Sequence, residues 1–109
     1  MNDLKQLATE YFAIFSNKDL DSLADMFTDT AVLRDWTGSA EGKDAVLTAN
    51  KNIFDSVDTI TITPLSLYED GNTVAAEIEV LLNGGEKLLV VDVITFEGNK
   101  ISSLRAYKG

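Results

Sequence analysis

The chain has 109 residues, 45% of them hydrophobic, and a formal net charge of −9 at pH 7. These values predict one folded domain over residues 1–109, and the negative charge disfavours nucleic acid and anionic membranes as partners because both would repel the protein. Cysteine and histidine are absent. Their absence excludes disulfides, thiol nucleophiles, Ser-His-Asp triads and imidazole or thiolate metal sites, and it leaves acid–base chemistry to carboxylates, tyrosines or lysines.

The first half of the chain has the spacing of amphipathic helices. Apolar residues at i, i+3, i+4 and i+7 predict a helix from Asp3 to about Phe15, with Tyr11 on its buried stripe. Asp19 is placed to cap a second, short helix. A third helix follows residues 41–44, and Asn50 is the polar member of its stripe. The apolar positions of these two helices are Leu20, Leu23, Ala24, Phe27, Val46, Ala49, Ile53, Phe54 and Val57.

The remaining segments predict turns and strands. Between the second and third helices, residues 28–30 predict a turn, residues 31–35 a short strand and residues 36–39 a loop. After the third helix, alternating and β-branched residues predict antiparallel strands joined by tight turns. Pro64 indicates an edge strand or a bulge. The predicted strands are 59–63 continuing through 65–68, then 73–82, 88–96 and 101–107.

The apolar segment Leu88–Phe96 predicts a strand buried on both faces, and Asp92 stands in its middle. A carboxyl group there needs a strong partner or a raised pKa that keeps it protonated. Arg34 and Arg105 could pair with buried carboxylates, or they could be surface residues with buried stems. An arginine beside Asp92 would hold that acid ionised.

Tyr11, Asp35 and Asp92 are polar residues at positions where an apolar side chain would be easier to place. Taken singly, each also has a structural interpretation: ring packing for Tyr11, a loop start for Asp35 and a hydrogen-bond anchor for Asp92. Glu77 and Glu79 share one face of a predicted strand, which favours a solvated surface over a metal site.

Taken together, these positions resemble a known family. The segments are Tyr11-Phe-Ala-Ile-Phe-Ser-Asn-Lys-Asp-Leu-Asp, Met26-Phe-Thr-Asp-Thr-Ala-Val-Leu-Arg-Asp35, Asp92-Val-Ile-Thr-Phe and Ile101-Ser-Ser-Leu-Arg-Ala. They resemble the ketosteroid isomerase branch of the nuclear transport factor 2-like (SnoaL-like) superfamily over nearly the whole chain. The resemblance implies an α+β fold in which three helices pack on a strongly curved, mainly antiparallel sheet, a cone-shaped barrel that encloses a pocket. It also implies a homodimer formed through the open sheet face.

The same resemblance implies a cofactor-independent reaction. Asp35 corresponds to the general base, Tyr11 to the phenol of the oxyanion hole and Asp92 to the protonated carboxylic acid beside it. The substrate class would be a small hydrophobic carbonyl compound, smaller than a steroid. No metal or organic cofactor is expected. The residues expected to line the pocket are Phe27, Trp36, Asn50, Phe54 and Leu104.

Three positions differ from related enzymes. Trp36 follows the base where the isomerases usually have proline, and Asn50 stands where they carry a tyrosine that supports the phenol. Val90 stands where the related limonene epoxide hydrolases have arginine, which disfavours epoxide opening.

Two further functions remain open: a binding domain that holds a small apolar ligand without turnover, and a protein-interaction module with a filled pocket. An amphipathic rather than continuously apolar opening over residues 1–16 predicts no signal peptide and a cytoplasmic protein.

Overall fold

The computed structural model describes residues 3–109. Residues 1 and 2, which belong to the segment used for the signal-peptide prediction, lie outside that range. The elements are α1 (Leu4–Ser16), α2 (Leu20–Ala24), β1 (Phe27–Asp35), β2 (Gly38–Glu41), α3 (Lys43–Ser56), β3 (Ile60–Asp70), β4 (Thr73–Leu82), β5 (Glu86–Glu97) and β6 (Lys100–Lys108). Within residues 3–109, no helix is long and apolar enough to span a membrane.

Side-chain caps begin the first two helices, and the cap at Asp19 confirms the sequence prediction. The Asp3 carboxylate accepts hydrogen bonds from the backbone N–H groups of Lys5 and Gln6 at 3.1 and 3.2 Å, and Asp19 accepts from Ser22 N–H at 3.2 Å. Helix α1 buries the predicted stripe against the sheet. At the end of α1, the Ser16 hydroxyl accepts a hydrogen bond from Ile62 N–H at 2.8 Å, and this bond ties the helix to β3.

Two boundaries near the second helix differ from the prediction. Helix α2 ends at Ala24, and Phe27 begins β1, so residues 28–30 belong to a strand and not to a turn. Phe27 pairs with Ile101 of β6, and the register shifts before Val32, so tertiary pairing keeps this polar stretch extended through a bulge. Residues 38–41 form β2 instead of a loop, because they pair antiparallel with residues 32–35 across a tight turn.

The six strands form one sheet in the order β2-β1-β6-β5-β4-β3, antiparallel except for the parallel β1–β6 pair. This confirms the curved, mainly antiparallel α+β fold. The sheet stays open in residues 3–109 because β2 and β3 are its two edges, so the expected closed barrel is wrong. Pro64 lies on edge strand β3 beside a register shift, as predicted, and such bulges bend the sheet toward the helices.

Helices cover only the concave face of the sheet. Strand β5 therefore has one buried side, which carries Val90, Asp92 and Ile94, and one outer side on which Leu89 is 57% and Val91 37% exposed. The prediction that this strand is buried on both faces is wrong for the single chain. Its outer side is apolar in sequence, but no helix of residues 3–109 packs over it.

Candidate active site

A cavity of about 250 Å³ opens between helices α1 and α3 and the concave face of the sheet. Its walls are almost entirely apolar, and the polar side chains among them are few. The lining residues are Tyr11, Phe15, Leu33, Asp35, Trp36, Thr37, Asn50, Ile53, Ser56, Val57, Ile60, Ile62, Ile78, Val80, Leu82, Leu88, Val90, Asp92, Leu104 and Ala106. Ligand sites usually have this composition, an apolar pocket with a few convergent polar groups.

Asp92 lies in the sheet wall of the cavity and is 6% exposed. Its direct partners on the adjacent strands are Ala76 of β4 and Ala106 of β6. Side chains opposite each other on a sheet lie about 5 Å apart, so two methyl groups leave the space above the carboxyl open. Within residues 3–109 the carboxyl makes no hydrogen bond and no ion pair. Burial raises the pKa of Asp92 from 3.8 to about 7.

Tyr11 reaches the same cavity from the buried face of α1 and is 3% exposed. Three phenylalanine rings hold its ring: Phe12, Phe15 and Phe27 have centroids 5.5, 5.9 and 6.1 Å away. The hydroxyl makes no hydrogen bond within the described residues. Burial raises the pKa of Tyr11 well above its ordinary value, and the nearby charge of Asp92 adds to this effect. The hydroxyl therefore stays protonated and can donate a hydrogen bond.

Asp35 ends β1 at the rim of the cavity and is only half-buried. Its Oδ1 accepts hydrogen bonds from Thr37 N–H at 2.8 Å, Thr37 Oγ1 at 2.7 Å and Gly38 N–H at 3.0 Å. These bonds hold the turn between β1 and β2 and fix the side chain. Its Oδ2 accepts no hydrogen bond from residues 3–109, so one carboxylate oxygen stays available at the rim.

The sheet places Asp35 and Asp92 on its concave face, two strands apart. Arg34 of β1 pairs with Arg105 of β6, so the next residue of β1, Asp35, lies beside Ala106. Ala106 in turn pairs with Asp92 of β5. Two strand spacings separate the Cα atoms by about 10 Å. A carboxylate, a small alanine and a buried carboxylic acid thus follow one another across the cavity floor.

Both arginines lie on the exposed side of the sheet. The ion pairs found in residues 3–109 join Lys51 to Asp55 and Lys87 to Glu79. Arg34 and Arg105 therefore leave Asp92 unpaired, which decides between the two alternatives that the sequence leaves open. Glu79 faces solvent with Lys87, and no group of three or more acidic residues in the described chain lies close enough together to hold a metal ion.

Comparison with known proteins assigns the family. The SnoaL-like domain profile matches residues 8–104, most of the chain. The chain belongs to the SnoaL-like family. No curated protein matches it.

Solved structures share the SnoaL-like fold at low identity. A candidate polyketide cyclase from Sinorhizobium meliloti is 22% identical with a TM-score of 0.84, and the match covers 93% of each chain. A candidate ketosteroid isomerase from Kribbella flavida is 19% identical with a TM-score of 0.84, covering 95% of this chain and 76% of that one. An NTF2-like protein of unknown function from Cytophaga hutchinsonii is 15% identical with a TM-score of 0.83, covering 100% and 92%. At these identities the comparisons show the fold alone.

The expected lining residues of this SnoaL-like domain separate into two groups. Trp36, Asn50 and Leu104 line the cavity. Phe27 and Phe54 do not: Phe27 packs edge-on against Tyr11, and Phe54 lies 4.8 Å from the Phe15 ring. Both rings support the lining from behind, because the strand start at Phe27 and the helix packing at Phe54 turn them into the core.

The sequence interpretation did not assign the far wall of the cavity. The inward residues of three neighbouring strands form it: Ile60, Ile62, Ile78, Val80, Leu82, Leu88 and Val90. Their alternation is visible in the sequence, but alternation predicts an inward face without indicating whether that face meets packed side chains or empty space.

Proposed function

We propose that this SnoaL-like protein is a cofactor-independent acid–base enzyme that isomerises small hydrophobic ketones by abstracting a proton next to the carbonyl. One observation carries the proposal. Two buried groups without partners in residues 3–109, Tyr11 and Asp92, face one apolar cavity with a half-exposed carboxylate, Asp35, at its rim. Buried polar groups are normally hydrogen-bonded, and exceptions concentrate at functional sites.

The two donors would bind the carbonyl oxygen of the ketone. Tyr11 is protonated at neutral pH. Asp92, whose pKa is raised to about 7, is also protonated in a large fraction of molecules at that pH. When the neighbouring C–H bond breaks, negative charge develops on that oxygen, and both hydrogen bonds strengthen. A pocket with low polarity increases their effect, because electrostatic interactions are stronger in surroundings of low dielectric constant.

Asp35 would act as the base. Its free oxygen takes the proton from the carbon next to the carbonyl, the electrons of that C–H bond form the enolate, and the same carboxyl group returns the proton to a carbon further along. Atoms and charge balance without a second reactant. The three hydrogen bonds at Oδ1 keep the side chain at the rim while Oδ2 exchanges the proton.

The size of the cavity supports a compact substrate. About 250 Å³ lies below the range of about 300–1,000 Å³ that is common for sites of drug-sized ligands. A substrate with one or two rings fits this description better than a steroid.

The test follows isomerisation of 3-cyclohexenone to its conjugated isomer by ultraviolet absorbance. We expect turnover by the wild type and a loss of about 10²- to 10⁴-fold in the variant Asp35→Asn. Asparagine retains an oxygen that can hold the turn, so the variant should fold. Asp29→Asn, on the same strand and exposed, is the matched control and should keep full activity. Equal activity in Asp35→Asn and wild type would contradict the proposal.

A binding domain without turnover is the second candidate. The three hydrogen bonds at Oδ1 of Asp35 favour it, because a carboxylate that holds a turn has a structural reason to be there. Saturable binding of 2-naphthol, a mimic of the enolate, combined with no isomerisation of any small unsaturated ketone would support this candidate over the enzyme.

We also propose that the protein forms a homodimer through the outer face of the sheet. This face exposes Leu89, Val91 and Tyr107, which are 57%, 37% and 53% exposed and lie on adjacent strands β5 and β6. Contiguous apolar surface of this kind marks an interaction site. Glu79 and Lys87 border it with a salt bridge of 2.9 Å.

A further inference from the structure

Asn50 is a polar residue in the apolar stripe of helix α3 and has no packing reason to be there. Its neighbours one turn before and after on the buried side are Val46 and Phe54, and all three are at most 6% exposed. An apolar residue at this position would continue the stripe. Instead, the amide nitrogen Nδ2 is enclosed and has no hydrogen-bond partner in residues 3–109.

The same residue lines the cavity that contains Tyr11 and Asp92. It contributes from helix α3, whereas Asp92 contributes from strand β5 and Tyr11 from helix α1, so the polar groups reach one space from three different elements. Rotation of the amide by 180° exchanges its donor and its acceptor at almost no change in shape. The amide can thus present either group to a molecule in the cavity.

We infer that Asn50 is a specificity residue that recognises a second oxygen of the ligand, while Tyr11 and Asp92 hold the first. The inference rests on the proposed function, since it assumes that the oxygen of a ketone or its mimic binds at those two donors. It defines the substrate class more narrowly: a compact, mostly apolar carbonyl compound with a further carbonyl or hydroxyl group at another position of its ring system.

The alternative explanation is that an enclosed water satisfies the amide. Thr28 supplies a comparison, because its Oγ1 is also enclosed without a partner but does not line the cavity. An unpaired polar atom is thus tolerated elsewhere in this fold. What distinguishes Asn50 is its position in the wall of the cavity that Tyr11 and Asp92 also line, two groups that likewise have no partner among residues 3–109.

The experiment compares 2-naphthol, which has one oxygen, with the 2,3-, 2,6- and 2,7-dihydroxynaphthalenes, which have two. Binding is followed by the fluorescence of Trp36, the one tryptophan of the chain and a lining residue. For the wild type we expect at least one dihydroxy isomer to bind about tenfold more tightly than 2-naphthol. In Asn50→Leu, which has a similar volume and no polar atoms, the ratio of the Kd for 2-naphthol to the Kd for that dihydroxy isomer should fall to about one.

A stability measurement separates recognition from a structural role. Replacing an unpaired buried amide with leucine should leave the urea midpoint of unfolding equal or higher. If Asn50→Leu does not fold, Asn50→Ala takes its place in the same binding comparison.

Three outcomes would overturn the inference. The wild type could bind no dihydroxy isomer more tightly than 2-naphthol, or Asn50→Leu could keep the wild-type preference. Either result would mean that Asn50 does not recognise a second oxygen of the ligand. If wild-type protein binds no naphthol at all, this inference and the proposed function fail together. If Asn50→Leu binds 2-naphthol and keeps the wild-type ratio of the two Kd values, the role of Asn50 is overturned and the proposed function is not.

Discussion

Ala106 stands directly opposite Asp92 across the β5–β6 ladder, and its single methyl group leaves the space above the buried carboxyl open. The same residue separates Asp92 from Asp35 along the floor of the cavity. The strand spacing sets the distance between base and acid, and the room for a ligand between them depends on one small side chain.

The first prediction concerns that side chain. Ala106→Leu should fill the centre of the cavity, so 2-naphthol binding should weaken at least tenfold while the protein stays folded, because the added atoms enter empty space. Isothermal titration calorimetry measures the affinity. The control Ala75→Leu places the same change on the outer face of β4 and should leave the affinity unchanged. Equal binding by both variants would show that the ligand does not lie between Asp35 and Asp92.

The second prediction concerns Asp92 and the pH dependence of stability. Below about pH 4 the carboxyl is protonated in the folded and the unfolded chain alike. Between pH 4 and 7 the unfolded chain loses this proton, but the folded protein keeps it because the folded pKa is raised from 3.8 to about 7. Unfolding then releases a proton, so the free energy of unfolding falls with rising pH, by on the order of 4 kcal/mol in total.

Asp92→Asn removes this titration and tests the prediction. Urea unfolding at several pH values should give a variant whose stability, relative to wild type, increases between pH 4 and 7 and levels off above about pH 8. The difference between the two curves cancels the other titrating groups. Parallel curves would mean that Asp92 ionises normally in the folded protein and that its buried environment is polar.

The third prediction separates the chemistry of Tyr11 from its packing. In Tyr11→Phe the ring contacts with Phe12 and Phe27 remain, and the lost hydroxyl has no partner in residues 3–109. Stability should therefore change by less than about 1 kcal/mol, whereas 3-cyclohexenone turnover should fall about 10²-fold or more because one oxyanion donor is missing. Tyr68→Phe, at an exposed position, is the matched control and should keep its activity. A large loss of stability without loss of turnover would assign Tyr11 a structural role.

The fourth prediction concerns the outer face of the sheet. Val91→Glu should convert a dimer to a monomer of 11.9 kDa, because a second carboxylate beside Glu77, the partner of Val91 on β4, would have to be desolvated in the interface. Sedimentation equilibrium over a range of concentrations measures the mass. Ala45→Glu adds the same charge on the exposed side of α3 and should leave the mass unchanged. A wild type that stays monomeric at high concentration would contradict the homodimer.

Local signals in the sequence predicted much of the fold. The cap at Asp19, the stripe that contains Tyr11 and the bulge at Pro64 depend on residues a few positions apart. Each was predicted correctly because hydrogen bonds and spacing within one segment decide it. The boundaries that were wrong, residues 28–30 and 38–41, depend on pairing with β6 and β1, and no short-range pattern encodes that pairing.

The sequence by itself determined that Asp92 lies in an apolar strand, that cysteine and histidine chemistry is absent, and that the last four strands follow the third helix as an antiparallel series. Only the tertiary structure decided which groups share a space: it places Asp92 between two alanines, leaves the Asn50 amide nitrogen without a partner in residues 3–109, puts Phe27 and Phe54 behind the cavity wall and keeps the arginines outside. The physical reason is that burial, pKa and empty volume are properties of surroundings built from five or more segments. Composition and periodicity describe one segment at a time.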